Sequence, residues 1–401
     1  MGGPAPSPAH NPNHESPACE VSVVMPCLNE ADTLETCIRK AQRAFREHQI
    51  AGEVVVADNG STDGSQEIAQ RAGARLVSVP RRGYGSCLMG GIDSARGKYV
   101  VMADADDSYD FLETPKFVEA LTQGHDLVQG CRLPSGGGRV KPGAMPFTHR
   151  WIGNPVLTFV ARLMFGIPVR DIYCGFRGFT KTLYKRLDLR CGGMEFATEM
   201  IIKSALFGAK IAEIPITLHP DGRKVHGPHL KTLRDGWRTV RFFLLSSPRW
   251  LFLFPGVLLI GLGGVGYYTT LPGLVIEGAR FDAHILLLAS LGILCGYASI
   301  LFALFAKTFA VTEGLLPPDR QLQQFFRFAT LEVGLVISFV AVAVGGGLLL
   351  FGVDEWRSGG LTTLNDSRSM RLSILGFTLV FLGFQTVLSS FFVSILGMNR
   401  K

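Results

Sequence analysis

The C-terminal part of the chain holds four long stretches without a charged residue: Trp250–Ile276, Ile285–Ala306, Val333–Val353 and Leu372–Met398. Each exceeds the roughly 20 residues that cross a ~30 Å hydrocarbon core as a helix, so four transmembrane helices are predicted. Gly261, Gly263, Gly264 and Gly266 suit this reading, because small residues let membrane helices approach closely. Ahead of Trp250 the pattern changes to short apolar runs between polar, helix-like segments. Val21–Met25, Val54–Ala57, Leu76–Val79, Tyr99–Ala103 and Leu127–Gly130 read as buried strands. Helices are predicted over Asn29–His48, from about Asp63 to Ala72 with Ser61 or Thr62 near its N-cap, and over Gly85–Ala95. This alternation predicts an α/β domain with a mostly parallel sheet covered on both faces, followed by an all-α membrane domain.

The expected division is a disordered tail over 1–19, the α/β domain over 20–222, a basic juxtamembrane helix over 223–249 and the membrane domain over 250–401. The tail is rich in Pro, Asn and His and lacks the basic start and apolar core of a signal peptide.

Composition agrees with this division. Of 401 residues, 47% are hydrophobic and only 18% charged, below the quarter or so usual for soluble domains. The eight cysteines form no CxxC pair, which argues against a disulfide framework or a structural zinc site. The net charge of +7 suits an anionic membrane surface or phosphate substrates as well as nucleic acid. Its placement decides between partners. Arg223, Lys224, Lys231, Arg234, Arg238, Arg241 and Arg249 precede the first span, Lys307, Arg320 and Arg327 lie between the second and third, and Arg400 and Lys401 follow the fourth. If all four segments cross, these fall on one side. The other side holds Arg280, and then Arg357, Arg368 and Arg371 diluted by Asp354, Glu355 and Asp366. The positive-inside rule places both termini and the α/β domain in the cytoplasm, in the inner membrane or its equivalent. No nucleic-acid partner is expected, since the basic residues gather beside the spans; a homo-oligomer stays open.

In parallel sheets ligands bind at the carboxyl ends of the strands. Strand one is followed by Pro26-Cys27-Leu28-Asn29-Glu30, strand two by Asp58-Asn59-Gly60-Ser61-Thr62-Asp63-Gly64-Ser65, and strand four by Asp104-Ala105-Asp106-Asp107. Acidic and amide side chains therefore converge on one region. Such a cluster is costly unless a cation or hydrogen-bond donors neutralise it. Two carboxylates two residues apart can share one Mg²⁺ or Mn²⁺, with substrate phosphates filling other positions.

Together PCLNE, DNGSTDGS, the Gly83-Tyr84-Gly85 turn and DADD resemble a family 2 glycosyltransferase with a GT-A fold. The run Asp171-Ile172-Tyr173-Cys174-Gly175-Phe176-Arg177-Gly178 and the basic residues before the spans are similar to the polyprenyl-phosphate glycosyltransferases, the dolichyl-phosphate-mannose-synthase-like group. The resemblance covers about Val21–Arg241. It implies inverting, metal-dependent transfer of a sugar from a UDP- or GDP-linked donor to polyprenyl phosphate on the cytoplasmic leaflet. It implies that Pro26, Asn29, Glu30 and Asp58 line the base and ribose pocket. Gly83 and Gly85 would let the backbone approach the donor, and Asp104 and Asp106 would hold the metal. Ser108 stands where relatives often carry Gln, and Asn59 where many carry a second Asp.

A nucleoside diphosphate leaves readily once its charge is neutralised. A divalent ion on Asp106 would do this as a Lewis acid, aided by Arg223 and Lys231. A phosphate monoester acceptor is already largely anionic near neutral pH and needs placement more than a base. Related polysaccharide synthases carry a Thr-Glu-Asp motif whose Asp is the base; the corresponding run here is Thr198-Glu199-Met200, and Met200 takes no proton. Arg132 and Arg177 are the expected clamps on the acceptor phosphate. Asp171 is expected either to orient an arginine or to act as a weak base. Glu195 and Glu199 lie four apart on a predicted helix, with a structural salt bridge and a catalytic part both open.

A polyprenyl tail stays in the bilayer, so the site must come to the membrane. Leu230–Phe243 pairs an apolar stripe (Leu230, Leu233, Trp237, Val240) with a basic one (Lys231, Arg234, Arg238, Arg241) and reads as an interfacial helix. Trp151–Phe165, edged by Arg150 and Arg162, is a second such segment. Two other readings fit parts of the chain. Gln324-Phe325-Phe326-Arg327-Phe328 faintly echoes the QxxRW motif of a processive polysaccharide synthase, with Phe328 in place of Trp. A non-catalytic membrane scaffold is the other, against which the intact Asp104 and Asp106 argue.

Overall fold

The computed structural model describes residues 19–223, 232–271, 275–276, 279–280, 283–358 and 367–397. The expected tail up to residue 18 and the expected donor contact at Lys231 lie outside them. The chain divides into two compact units, Met1–Phe242 and Phe243–Lys401.

The first unit begins β1 (Val21–Cys27), α1 (Leu34–Glu47), β2 (Gly52–Asp58), α2 (Ser65–Arg71), β3 (Arg75–Ser78), α3 (Tyr84–Ser94), β4 (Tyr99–Met102), α4 (Thr114–Thr122) and β5 (Leu127–Cys131). It continues β6 (Arg139–Val140), α5 (Asn154–Phe165), β7 (Arg177–Thr180), α6 (Lys181–Leu187), α7 (Glu195–Leu206), β8 (Ile211–Pro215) and β9 (Thr217–Leu218). All five expected strands are present. They join a seven-stranded sheet in the order β3-β2-β1-β4-β7-β5-β8. The strands pair in parallel except at β7, which runs antiparallel to both β4 and β5. The end of the Asp171–Gly178 run therefore enters a central strand. β8 was also unmarked by the apolar pattern, since Ile211–Pro215 alternates around Glu213 and is only partly buried.

The two faces of the sheet follow from side-chain alternation. Val23 and Met25 join the large core with Cys37, Ile38, Ala41 and Phe45 of α1 and with Phe117 and Phe176. On the opposite face α3 lies very close to the sheet. A Cβ added at Gly91 would come within 2.6 Å of Val24 Cγ1, so only glycine permits this approach. At α2 the N-cap position is taken by Gly64 in the left-handed conformation rather than by Ser61 or Thr62. These hydroxyls are drawn instead to the loop after β1: the Asn29 N–H donates to Ser61 Oγ at 2.9 Å.

Helix α8 (Thr232–Leu245) lies within the expected juxtamembrane segment. The second unit carries α9 (Phe254–Thr270), α10 (Ala283–Thr312), α11 (Arg320–Phe328), α12 (Leu331–Ser358) and α13 (Ser367–Gly397). Four helices, spanning Arg249–Thr270, Ala283–Thr312, Leu331–Ser358 and Ser369–Leu396, are long and apolar enough to cross a membrane. Their outward side chains are apolar, as at Phe339 and Tyr268, whereas polar groups meet inside: Tyr267 Oη lies 2.6 Å from Ser290 Oγ and 3.0 Å from Thr378 Oγ1. The Gln324–Phe328 run forms part of the short helix α11, whose Asp319 cap pairs with Lys307.

Candidate active site

Three loops leaving β1, β2 and β4 meet at one end of the sheet. The loop after β4 carries the acidic cluster. Asp106 Oδ1 accepts from the Ser108 N–H at 3.0 Å and from Ser108 Oγ at 2.6 Å. Ser108 thus fixes the rotamer of Asp106 and leaves Oδ2 pointing away. That second oxygen accepts from Arg223 Nη2 at 2.8 Å. Asp104 Oδ1 accepts from Tyr84 Oη at 2.8 Å. Glu30 completes the group. It is buried, lies 3.5 Å from Arg223 Nη1, and its Oε2 has no hydrogen-bond partner.

The electrostatics record this crowding. Burial, with Asp106 and Asp104 adding to it and Arg223 opposing, pushes the Glu30 carboxyl up to about 7. Burial and then Asp106 push Asp104 up to about 6, against the Tyr84 hydrogen bond and Arg223. Among the described residues no group of three or more metal-ligating side chains closes on one point. The donor set is instead one or two carboxylates, which suits Mg²⁺ or Mn²⁺ carrying substrate phosphate. The orphaned Glu30 Oε2 and the clustered carboxylates of Asp104 and Asp106 have the chemistry to hold a divalent cation.

Several expected site residues prove to shape the loops. Asp58 is 1% exposed. Its carboxylate accepts from the Gly60 and Ser61 N–H groups at 3.0 and 3.2 Å and from Gln66 Nε2 at 2.7 Å. These bonds close its own loop. Asn29 has φ +60° and holds the first loop to the second through the Thr62 N–H, at 2.8 Å. Pro26 lies in β1 opposite Ala57 and is partly exposed. Gly83 and Gly85 are also required by packing: a Cβ at either would stand 2.3 Å from the Gly192 or Cys191 carbonyl oxygen.

Asn59 explains its own departure from aspartate. Its Nδ2 donates to the Val79 and Arg81 carbonyls, both at 2.9 Å, while Oδ1 accepts from the Gly83 N–H at 2.8 Å. A carboxylate makes only the last of these bonds.

The two expected acceptor arginines part company. Arg177 is fully buried on β7. It donates to the backbone carbonyls of Ala197 at 2.5 Å and Cys174 at 2.9 Å, and burial lowers its pKa. A phosphate cannot reach it, and this corrects the expectation: Arg177 positions the 172–174 turn and α7. Arg132 is 8% exposed and forms a two-pronged pair with the buried Asp171, Nε to Oδ2 at 2.7 Å and Nη2 to Oδ1 at 2.9 Å. Burial opposes the Arg132 charge, but Asp171 outweighs it and holds the pKa above its ordinary value. Asp171 thus orients an arginine, and with every oxygen engaged it is not placed as a base. Gln129, Tyr84 and Tyr109 were missed by sequence reasoning. Gln129 Nε2 donates to the Asp171 and Cys174 carbonyls, and Tyr109 Oη accepts from the Gly175 N–H. Their neutral side chains carried no signal of chemistry.

Glu199 is buried and structural. It pairs with Lys203 at 2.8 Å and accepts from the Arg190 and Cys191 N–H groups. It holds the loop that packs on Gly83 and Gly85. Met200, 1% exposed, lies in the core.

A mostly parallel sheet with acidic loops at its strand ends, on a chain with four membrane-length helices, defines a membrane glycosyltransferase of GT-A type. Residues 22–188 match the glycosyl transferase family 2 model, and residues 304–397 match the glycosyltransferase family 2 C-terminal transmembrane region. A low-salt glycan biosynthesis hexosyltransferase, Agl6 of Haloferax volcanii, is 35% identical over 381 residues, covering 94% of this chain and 89% of that protein. The chain belongs to glycosyltransferase family 2. A dolichyl-phosphate hexose transferase of the same organism is 29% identical over 197 residues, 49% of this chain and 82% of the relative. A crystal structure of Mycobacterium tuberculosis glucosyl-3-phosphoglycerate synthase with Mn²⁺, UDP and glucosyl-3-phosphoglycerate is 25% identical, covers 57% of this chain and 79% of its own, and has a TM-score of 0.45, a likeness too distant to inform the ligands here.

Proposed function

We propose that this glycosyltransferase moves a hexose from a nucleotide-sugar to a polyprenyl phosphate, with a divalent metal at Asp104 and Asp106 and the catalytic domain on the cytoplasmic side. The observation that carries this is a basic cavity bordered by an exposed apolar helix in the same unit as the acidic cluster. The cavity, about 520 Å³, is lined by Arg139, Lys141 and Arg150 with Pro134, Val140 and Thr217 among others. Beside Arg150, the side chains of Phe147, Trp151, Ile152, Val156, Phe159 and Leu163 are all 52–72% exposed. Cations next to an apolar face match a headgroup phosphate on an isoprenoid chain, and a water-soluble acceptor gives no reason for the apolar face.

The cavity adjoins the acidic cluster through one short strand. Thr217 of β9 lines the cavity, Leu218 bridges to Tyr109, and the His219 N–H donates to the Ser108 carbonyl at 2.9 Å. A bound metal would supply charge neutralisation on the departing diphosphate. Asp106, fixed by Ser108, and Asp104, fixed by Tyr84, hold its position. Arg139, Lys141 and Arg150 draw the acceptor phosphate in place of the buried Arg177. That phosphate is anionic near neutral pH, so no protein base is required. The basic residues flanking the spans support the cytoplasmic orientation.

The test is purified full-length protein with Mg²⁺ or Mn²⁺, a panel of UDP- and GDP-sugars and a short polyprenyl phosphate. Glycolipid forms with release of nucleoside diphosphate, and Asp106→Ala abolishes both while the protein stays folded. Polymer made without added lipid would replace this reading with a processive synthase. No metal-dependent nucleotide binding would favour a scaffold.

A further inference from the structure

The guanidinium of Arg223 stands among three carboxylates. Its Nη2 is 2.8 Å from Asp106 Oδ2, its Nη1 3.5 Å from Glu30 Oε1 and its Nε 3.0 Å from Asp221 Oδ1. The side chain is 11% exposed. Main-chain bonds deliver it there. The His219 N–H donates to the Ser108 carbonyl and the Gly222 N–H to the Asp106 carbonyl, both at 2.9 Å, so the segment ending at Arg223 is in register with the acidic loop. The fit is close, because a Cβ on Gly222 would meet Thr33 Cγ2 at 2.9 Å.

Oδ1 of Asp106 is committed to Ser108, so Oδ2 is the oxygen left for a cation. Arg223 already uses it. A guanidinium keeps its charge at any working pH and only donates. A metal and this guanidinium therefore compete for one carboxylate oxygen, and their like charges repel at that distance. A diphosphate changes the balance. Its oxygens accept two-pronged bonds from arginine and also ligate the metal.

We propose that Arg223 is a resident counter-cation that excludes bare metal from Asp106 and yields the site when metal and a nucleoside diphosphate arrive together. This rests on the metal assignment made above and adds an order of events to it. The acidic cluster stays neutralised between turnovers, and the guanidinium released from Asp106 is then free to bind the diphosphate. Metal and nucleotide consequently favour each other's binding, and by linkage the enhancement is the same in both directions.

The experiment measures Mn²⁺ binding to the full-length protein in detergent by the loss of the free-ion EPR signal. It is run without nucleotide, with UDP and with GDP, on wild type, Arg223→Gln and Arg223→Lys. In wild type the nucleotide that binds tightens Mn²⁺ at least 100-fold. Arg223→Gln binds bare Mn²⁺ at least tenfold more tightly than wild type, and its enhancement by nucleotide shrinks by tenfold or more. Arg223→Lys, which keeps the charge without the fork, lies between them. Bare Mn²⁺ binding to Arg223→Gln no tighter than to wild type, with both responding to nucleotide, overturns the proposal and leaves the metal assignment standing. Failure of all three proteins to bind Mn²⁺ under any condition overturns the metal assignment and the proposal with it. A melting curve with a thiol-reactive dye establishes that each variant is folded.

Discussion

Replacing Asp171 by Asn removes one atom's worth of charge from the most enclosed ion pair of the catalytic unit. The Asp171 side chain is wholly buried and that of Arg132 is 10% exposed. The carboxylate accepts from Arg132 Nε at 2.7 Å, Nη2 at 2.9 Å and the backbone N–H at 3.1 Å. Asparagine keeps one acceptor and turns an NH₂ group toward a guanidinium that only donates. Breaking a buried pair in this way costs about 3–5 kcal/mol, because the remaining charge is left uncompensated. At about 2–4 °C per kcal/mol for a unit of this size, the apparent melting temperature falls by about 6–20 °C. Cys27, Cys37, Cys87, Cys131 and Cys174 are all buried in this unit, so a thiol-reactive dye reports its unfolding in the full-length protein. The double variant Arg132→Met, Asp171→Leu restores an apolar pairing and is less destabilised than the sum of its single changes by at least ~1 kcal/mol. Unchanged melting of Asp171→Asn, or strict additivity in the cycle, would falsify the assignment of this pair as mutual neutralisation.

Three further outcomes follow from the same contacts. Arg177→Met removes one donor from each of the Ala197 and Cys174 carbonyls, the latter keeping Gln129, and lowers the melting temperature by the equivalent of about 1–3 kcal/mol; a variant that melts normally and differs only in KM for the lipid acceptor would return Arg177 to the acceptor site. Asn59→Asp loses both donor bonds to the 79–81 segment and costs about 1–3 kcal/mol; higher activity with unchanged melting would show that an acidic contact to substrate is what this position lacks. In metal-free protein Glu30 is raised from its ordinary 4.5 to about 7 and Asp104 from 3.8 to about 6, both mainly by burial. The folded state then holds protons that the unfolded chain releases, so the stability they contribute is complete below about pH 4 and lost as pH climbs through 6 to 7. Melting temperature without metal therefore drops between pH 5 and 8, and Glu30→Gln flattens the drop; an equal drop in that variant would contradict it.

Four of the five strands that were legible in the sequence are buried on both faces, the edge strand β3 being only partly so. Val21–Met25 and Tyr99–Ala103 are apolar because every side chain along them meets protein, and such a run reveals itself locally. β7 escaped notice because Arg177-Gly178-Phe179-Thr180 has no apolar periodicity. It becomes a strand by pairing with β4 and β5, which lie far away in sequence. The acidic cluster was legible because carboxylates after several strand ends have few uses besides a cation. The arginines were not, because the same side chain serves a phosphate or a set of carbonyls according to what surrounds it.

By itself the sequence determined the class of the molecule: four uncharged spans, an alternating α/β domain and an acidic site at its strand ends. Length, polarity and period act locally, and a reader needs only neighbouring residues to see them. The tertiary structure decided the assignments within the site. It buried Arg177 among carbonyls, tied Arg132 to Asp171, turned Asp58 and Asn59 inward to hold loops, and set Arg223 on Asp106. Each of those outcomes depends on donors and acceptors brought together from distant segments, and a buried polar group takes whichever partner the fold leaves unpaired beside it.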